Sequence, residues 1–411
     1  METYGFWITD KKQRFRTEHF FGKSAAVYSR SGLHATEKQL IAQLESMEKP
    51  PKRMLVAGNR TGVTAMLSKW RWPECEVICH AFDLHHARAI QRNLCANGFR
   101  VPITIDAGVE IFTMEEVRQP RSRNAREIPV YCTAALPDGP FDLVLMAFTH
   151  GLMTTELLFD QLENVHLVLS DGGRCVVAAE GDHAQLFKQY KAIFGKFSPL
   201  YDRKNLSCAT MAKVGELKKH RDFSAVFSAS LPGCDPVELV SLPGCFCHRR
   251  PDTGGLALAE MAQGEVKPDM KLLDMGCGCG LIGCLLAKKE PTLKITFVDS
   301  HARALEAVRR NIRSLGIAGA KLVLADDGYV ERGFDLFVGN PPYYSDYRIA
   351  DVFLQTAFAV LHRGGVCMTV AKTAHALEER QRQNFGAVEV LQRRGYQILK
   401  SVRAGRPQMD R

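Results

Sequence analysis

The chain is patterned in short apolar runs of strand type separated by amphipathic helical stretches. Residues 36–48 carry Leu40, Ile41 and Leu44 at helical spacing, with Thr36 and Gln39 spaced as a capping box. After Pro50-Pro51, MLVAG at 54–58 reads as a buried strand and AGNRTG turns into a helix over 63–70. A second strand at 77–82 ends at Asp83 before the helical AIQRNLCANG. FDLVLMAF at 141–148 is another buried strand, and Gly172-Gly173 leads into one more at 174–179. Strands alternating with helices predict an α/β fold with a parallel, doubly wound sheet. From 223 to 247 the pattern shortens to alternating segments punctuated by Pro232-Gly233 and Pro243-Gly244, which predicts a small antiparallel excursion.

The same order then begins again. PDTGGLALAEMA at 251–262 opens a helix at Gly254-Gly255, LLDMGCGCG spans 272–280, and a helix runs on to Lys289. A strand at 294–298 ends at Asp299, a helix covers 302–315, and a strand at 321–325 ends at Asp326-Asp327. FDLFVGNPPY at 334–343 completes the series. Set side by side, MLVAGNRTG matches LLDMGCGCG, Asp83 matches Asp299, and FDLVLMAFTH matches FDLFVGNPPY. Shared order with different tips implies an internal duplication into two tandem Rossmann-like sheets. Domains are expected at 1–210 and 211–411, with the β-rich segment 223–250 leading into the second.

The differences between the copies point to chemistry in the second only. Gly276, Gly278 and Gly280 lie in a strand-to-helix turn, where glycines let a ligand approach the backbone in front of a helix N-terminus. Asp274 precedes them and can help hold an amino-acid ammonium, Asp299 can accept from ribose hydroxyls, and Asp326 or Asp327 can receive an adenine amine. Each aspartate alone could be a helix cap. At successive strand tips they form a pattern that capping does not explain. Asn340, Pro341, Pro342 and Tyr343 leave the sheet on a stiff frame: an amide oxygen, a proline carbonyl and a stacking ring suit a flat, amine-bearing substrate. In the first copy Val56 stands at the place of Asp274, Arg60 at that of Gly278, Ala147 at that of Asn340, and Phe148-Thr149 at that of the prolines. That copy is expected to be degenerate, kept for architecture or for binding substrate.

Bulk properties narrow the setting. At 411 residues with 46% hydrophobic and 24% charged, the chain is globular and long enough for two or three domains. No apolar run reaches bilayer length, and the first twenty residues carry charges where a signal peptide needs an apolar core, so a cytoplasmic protein with no membrane partner is expected. A net charge of +9 fits a polyanionic partner without requiring one. Two basic stretches could touch RNA: VRQPRSRNAR at 117–126, more simply a solvated loop, and residues 188–204, where Tyr190, Phe194, Phe197 and Tyr201 sit among lysines and half of the aromatics are expected in the core. Thirteen cysteines, an odd and scattered set, suit a reducing compartment. Cys75 with Cys79 and His80, Cys245 with Cys247 and His248, and Cys277 with Cys279 and Cys284 lack paired CxxC knuckles, so no metal is expected.

On SLPGCF (241–246), DTGG (252–255), DMGCGCG and NPPY, the chain resembles the bacterial ribosomal RNA guanine-N2 methyltransferases, which join two class I methyltransferase domains with a degenerate first copy. That family more often has Phe at the position of Tyr343 and commonly His at that of Tyr344. The resemblance implies S-adenosyl-L-methionine as cofactor, ribosomal RNA or a ribosomal subunit as partner, and transfer of a methyl group to the exocyclic N2 amine of a guanine. Asn340, Pro341, Pro342 and Tyr343 would then be the catalytic tip. Tyr344, Tyr347 and Arg348 could contact flanking nucleotides, although they are more simply exposed loop residues, and a monomer is the expected state. The same tip also suits a protein glutamine amide or adenine N6, and a non-catalytic RNA-binding assembly factor is the rival of a different class.

Overall fold

The computed structural model describes residues 16–20, 23–27, 32–122, 124–149, 154–342 and 347–404. These divide into two units, one of residues 16–106 and 116–223, the other of residues 107–115 and 224–404.

The N-terminal unit starts with a hairpin of β1 (Arg16–Phe20) and β2 (Lys23–Val27), followed by α1 (Ala35–Ser46), β3 (Arg53–Ala57) and α2 (Val63–Arg71). Next come β4 (Glu76–His80), α3 (Leu84–Ala96) and β5 (Ile103–Ile105). The chain then places β6 (Glu110–Phe112) in the other unit and returns for β7 (Val130–Cys132) and β8 (Phe141–Phe148). The unit ends with α4 (Thr155–Val168), β9 (Leu169–Glu180), α5 (His183–Phe194), β10 (Phe197–Arg203) and β11 (Leu206–Ala212). Its sheet order is β5-β7-β4-β3-β8-β9-β11-β10, parallel except at β10 and β11. The helix expected from Thr36 begins one residue earlier, and its cap is His34, whose Nδ1 accepts from the Thr36 amide at 3.3 Å. A ring nitrogen two residues ahead of that amide does the work assigned to a threonine hydroxyl.

The C-terminal unit begins with an antiparallel pair, β12 (Ala225–Ala229) and β13 (Val237–Ser241), where alternation predicted it. Then follow α6 (Thr253–Ala262), β14 (Lys271–Met275), α7 (Leu281–Lys289), β15 (Lys294–Asp299), α8 (Ala302–Ser314), β16 (Lys321–Ala325) and β17 (Phe334–Gly339). The remainder is α9 (Arg348–Val360), β18 (Leu361–Ala371), α10 (His375–Phe385), β19 (Glu389–Arg393) and β20 (Tyr396–Val402). Its sheet order, β6-β16-β15-β14-β17-β18-β20-β19, repeats that of the first sheet strand for strand. Small local devices repeat as well. Asn93 on α3 donates to the Thr61 carbonyl and Asn311 on α8 to the Cys279 carbonyl, both at 2.8 Å. Asp142 receives the amides of Lys52 and Arg53, and Asp335 that of Lys271. The core of this unit lies under β14 to β18, with Phe337, Leu354, Val360 and Leu361 fully enclosed.

Register corrects one pairing read from the sequence. Arg53 lies opposite Glu76 as Lys271 lies opposite Lys294. Counting along from those pairs, Ala81 falls at the place of Asp299, and Asp83 at that of His301. Asp83 caps α3 and His301 stands at the N-cap of α8, so aligning Asp83 with Asp299 was two residues off. The carboxylate at the second strand tip is therefore missing from the first copy. Among the described residues no helix is long and apolar enough to cross a membrane.

Candidate functional site

The turn between β14 and α7 is built on left-handed backbone. Gly276, Gly278 and Gly280 have φ of +67°, +55° and +83°, a conformation that costs any other residue strain. A Cβ at Gly276 would come within 2.7 Å of Phe353 Cζ, whereas one at Gly278 would meet nothing within 4 Å. Gly278 thus borders open space, and Phe353, reaching up from α9, forms a floor beneath the turn. Gly339 at the end of β17 rests on the same ring, where a Cβ would lie 2.9 Å from Phe353 Cδ1. No motif in the sequence singles out Phe353, and only the fold brings it under both Gly276 and Gly339.

The candidate aspartates occupy the strand tips, each with a distinct environment. Asp274 is buried, and its Oδ2 accepts from the Gly283 amide in the first turn of α7 at 2.9 Å. Burial pushes its carboxyl up to about 7; the neighbouring Asp299 pushes the same way, and the Gly283 N–H pulls it back only in part. Asp299 is half-buried: Oδ2 accepts from Gly278 N and Oδ1 from His301 N, both at 2.9 Å. It therefore shapes the glycine turn while standing at its rim. Asp326 is buried. Asp327 faces differently, with both carboxylate oxygens receiving the Met114 amide at 3.1 and 3.0 Å. Cys277, Cys279 and Cys284 are buried thiols whose ionisation burial pushes up, and among the described residues no group of three or more His, Cys, Asp or Glu is placed to hold a metal ion.

At the fourth tip the two prolines end β17 at Gly339, because neither can donate to a ladder. Asn340 is half-buried, Pro341 buried and Pro342 partly exposed, while Tyr343 and Tyr344 lie outside the described residues. The side-chain nitrogen of Asn340 donates to Asp252 Oδ2 at 2.7 Å. The same oxygen receives the Gly255 amide at 2.6 Å, since Asp252 is the N-cap of α6. With its NH2 edge fixed on a carboxylate, the Asn340 amide must turn its oxygen the other way. Asp252 was legible only as part of the DTGG motif; its hold on Asn340 spans 88 residues of sequence, which no local pattern reveals. Tyr347 opens α9, and its ring lies 5.5 Å from the Arg380 guanidinium, which also bonds Asp351. It serves the helix start, and the adjacent Arg348 is exposed.

The first copy is closed at its turn and at the tip of β8. Asn59 Oδ1 accepts from the amides of Thr61 and Gly62 at 2.8 and 3.0 Å, so the turn satisfies its own donors. Glu37 of α1, buried, takes the Thr61 hydroxyl at 2.6 Å and the Thr64 amide at 3.4 Å, occupying the place before the helix. Strand β8 runs on through Ala147 and Phe148, paired with Ala178 and Ala179. The Ala147 carbonyl would lie 2.0 Å from a Cβ at Gly58. Of the basic stretches, residues 117–126 are tied back through the Gln119 side chain, which bonds both the N–H and the C=O of Val101, leaving Arg118, Arg121 and Arg126 exposed. Tyr190 and Phe194 are buried, and Phe197 and Tyr201 partly so.

Comparison with known proteins matches this layout. Residues 236–400 match the family described as Methyltransferase small domain. Curated relatives include the Ribosomal RNA small subunit methyltransferase C of Haemophilus influenzae, 34% identical over 173 residues, covering 41% of this chain and 51% of that protein. That of Pseudomonas aeruginosa is 36% identical over 151 residues, covering 35% and 44%. The chain thus spans about half the length of these relatives. Among solved structures, the Thermus thermophilus 16S rRNA N2 G1207 methyltransferase (RsmC), in complex with AdoMet and guanosine, superposes with a TM-score of 0.72 over 95% of this chain and 98% of that one, at 19% identity. The two sheets therefore share the tandem fold of that structure, and the match to the methyltransferase small domain falls on the second of them.

Proposed function

We propose that the C-terminal unit transfers a methyl group from S-adenosyl-L-methionine to the exocyclic N2 amine of a guanine in ribosomal RNA. The observation that carries this reading is the Asn340 amide, held by Asp252 at a proline-stiffened strand end beside the open glycine turn. The residues fit the cofactor: the space at Gly278 admits it, Asp274 suits its ammonium, Asp299 its ribose hydroxyls, and Asp326 its adenine amine. When bound, it supplies an electrophilic methyl group. The chain's own part is orientation. The oxygen of Asn340 and the Pro341 carbonyl would accept the two N–H bonds of the guanine amine, favouring a pyramidal nitrogen whose lone pair faces the methyl donor. Those acceptors also stabilise the positive charge that develops on nitrogen. Tyr343 would stack on a base drawn out of its helix. The closed turn and tip of the first copy support an architectural or RNA-holding role for the N-terminal unit.

The likeness to small-subunit rRNA methyltransferases favours small-subunit rRNA over a glutamine amide or adenine as substrate. Asn340→Ala is expected to keep S-adenosylmethionine affinity and lose methyl transfer to rRNA from cells lacking the protein, with the product nucleoside read by mass spectrometry. Unchanged turnover would remove Asn340 from the mechanism, and methylated adenine in place of guanine would overturn the substrate.

A further inference from the structure

The two copies differ at their ligand tips and agree at another place. Each sheet ends in an antiparallel hairpin, β10-β11 in the first and β19-β20 in the second. In both, the turn holds two residues, because Arg203 pairs with Leu206 and Arg393 with Tyr396. Both tips carry two cations, Arg203-Lys204 and Arg393-Arg394, and the second of each has left-handed backbone, with φ of +55° and +51°. That position of a tight hairpin suits Asn, Asp or Gly, so a long cation stands there against the preference of the turn. Leu206 lies opposite Glu180 and Gln397 opposite Ala371, the last residues of β9 and β18. Each tip is thus at the edge where the parallel strands end, the edge that carries Asn340 in the second copy.

Pairing within the fold does not account for these cations. Arg203 and Lys204 are exposed and bond no carboxylate among the described residues: the Arg203 guanidinium lies 6.0 Å from the Tyr201 ring, and the adjacent Asp202 is taken by His183. In the second copy one buried carboxylate, Glu260, receives Arg393 Nε together with Nε and Nη2 of Arg394, the latter two at 2.9 and 2.7 Å. One negative charge against two positive leaves an excess, and the two arginine side chains are still 43% and 45% exposed. Both Nη groups of Arg393 and Nη1 of Arg394 make no hydrogen bond among the described residues. Spare N–H groups on a guanidinium already fixed in orientation suit a phosphate oxygen. We propose that both dibasic tips grip phosphodiester groups of the RNA substrate, the first copy keeping this contact although its own turn is closed. The inference rests on the proposed function.

The test uses the full chain and unmodified small-subunit rRNA, with binding measured across a series of salt concentrations. Arg203→Gln with Lys204→Gln neutralises the first tip. Arg393→Gln with Arg394→Gln neutralises the second while leaving Glu260 hydrogen-bond donors, so that the fold is spared a stranded carboxylate. Each pair is expected to flatten the slope of log affinity against log salt by about 1.4–1.8, two phosphate contacts' worth, and to weaken binding about 10–30-fold at 0.15 M salt. Arg393→Lys with Arg394→Lys should keep the wild-type slope, because the charge remains. S-adenosylhomocysteine affinity, read by calorimetry, should stay at the wild-type value in all three. A wild-type salt slope in either glutamine pair, in a protein that still methylates rRNA, overturns this inference alone. A wild-type chain that neither binds nor methylates rRNA overturns the proposed function and the inference with it.

Discussion

Replacing Asp252 tests whether the orientation of Asn340 matters. One oxygen of Asp252 holds two donors, the Gly255 amide at 2.6 Å and the Asn340 side chain at 2.7 Å. Asp252→Ala deletes the N-cap of α6, which costs about 1 kcal/mol of stability. It also removes a hydrogen bond to a charged acceptor worth roughly 1.5–3 kcal/mol, freeing the amide to rotate and present NH2 where oxygen is needed. If that energy is used to hold Asn340 for the transition state, kcat falls by about 10–100-fold. Asp252→Asn keeps an oxygen for both donors and loses only charge assistance, so stability should change by a few tenths of a kcal/mol and kcat by about five-fold. The assay is transfer of tritiated methyl from S-adenosylmethionine to unmodified rRNA at saturating substrate, with urea unfolding run beside it. Asp252→Ala with wild-type kcat and only the cap's loss of stability would refute the reasoning, because Asp252 would then be a helix cap and nothing more.

Three further outcomes follow from the geometry. Asp274 has a folded pKa of about 7 against an ordinary 3.8, so the native state binds its proton more tightly; stability should decline as pH rises from about 4 to 7, by up to about 4 kcal/mol, and level off above. Asp274→Asn should flatten that slope in thermal melts and abolish the strengthening of S-adenosylmethionine binding expected as pH passes 7, whereas an unchanged pH dependence would show that Asp274 is not the group responsible. Gly278→Ala should lower stability only by the strain of a positive φ, about 1–2 kcal/mol, while its methyl enters the ligand's space and weakens binding; Gly276→Ala drives a Cβ to 2.7 Å from Phe353 and should destabilise more, as paired melts and titrations will read. Asn59→Ala in the first copy should cost about 2–3 kcal/mol in urea unfolding, because it strands the buried amides of Thr61 and Gly62, and a loss under about 0.5 kcal/mol would mean that the turn is not sealed by that side chain.

The parallel strands were readable because they are buried on both faces and appear as continuous apolar runs, as in LLDM and FDLFVG. The duplication was readable because the two copies keep the same runs in the same order. Sequence reasoning failed where the deciding partner is remote. The two-residue error at Asp83 arose because aspartates were aligned by type, and only the pairing of β3 with β4 and of β14 with β15 fixes the count. The insertion of β6 was invisible for a related reason. Three residues, Glu110 to Phe112, are too few to show a period, and their partner strand lies some two hundred residues on. Asp327 illustrates the same limit, since sequence placed it at the correct tip, but only the fold shows its carboxylate turned to Met114.

On the proposed function, the two copies illustrate how a binding tip can be lost without loss of the fold. A turn that hugs a ligand exposes amides which the ligand satisfies, and deleting the ligand leaves them to find other acceptors. In the first copy Asn59 and Glu37 provide those acceptors, and β8 simply runs on where β17 is cut by prolines. Each change lowers the cost of the empty state and raises the cost of the bound one. Restoring a single residue would therefore not restore a site. An aspartate at Val56 would face a turn already filled by Glu37, with no carboxylate at Ala81 and the Ala147 carbonyl over Gly58. The second copy keeps the opposite arrangement: a buried Asp274 that costs stability near neutral pH, and a glycine at 278 whose missing side chain leaves space. Features that weaken an isolated fold and persist together at adjacent strand tips are those a bound ligand repays.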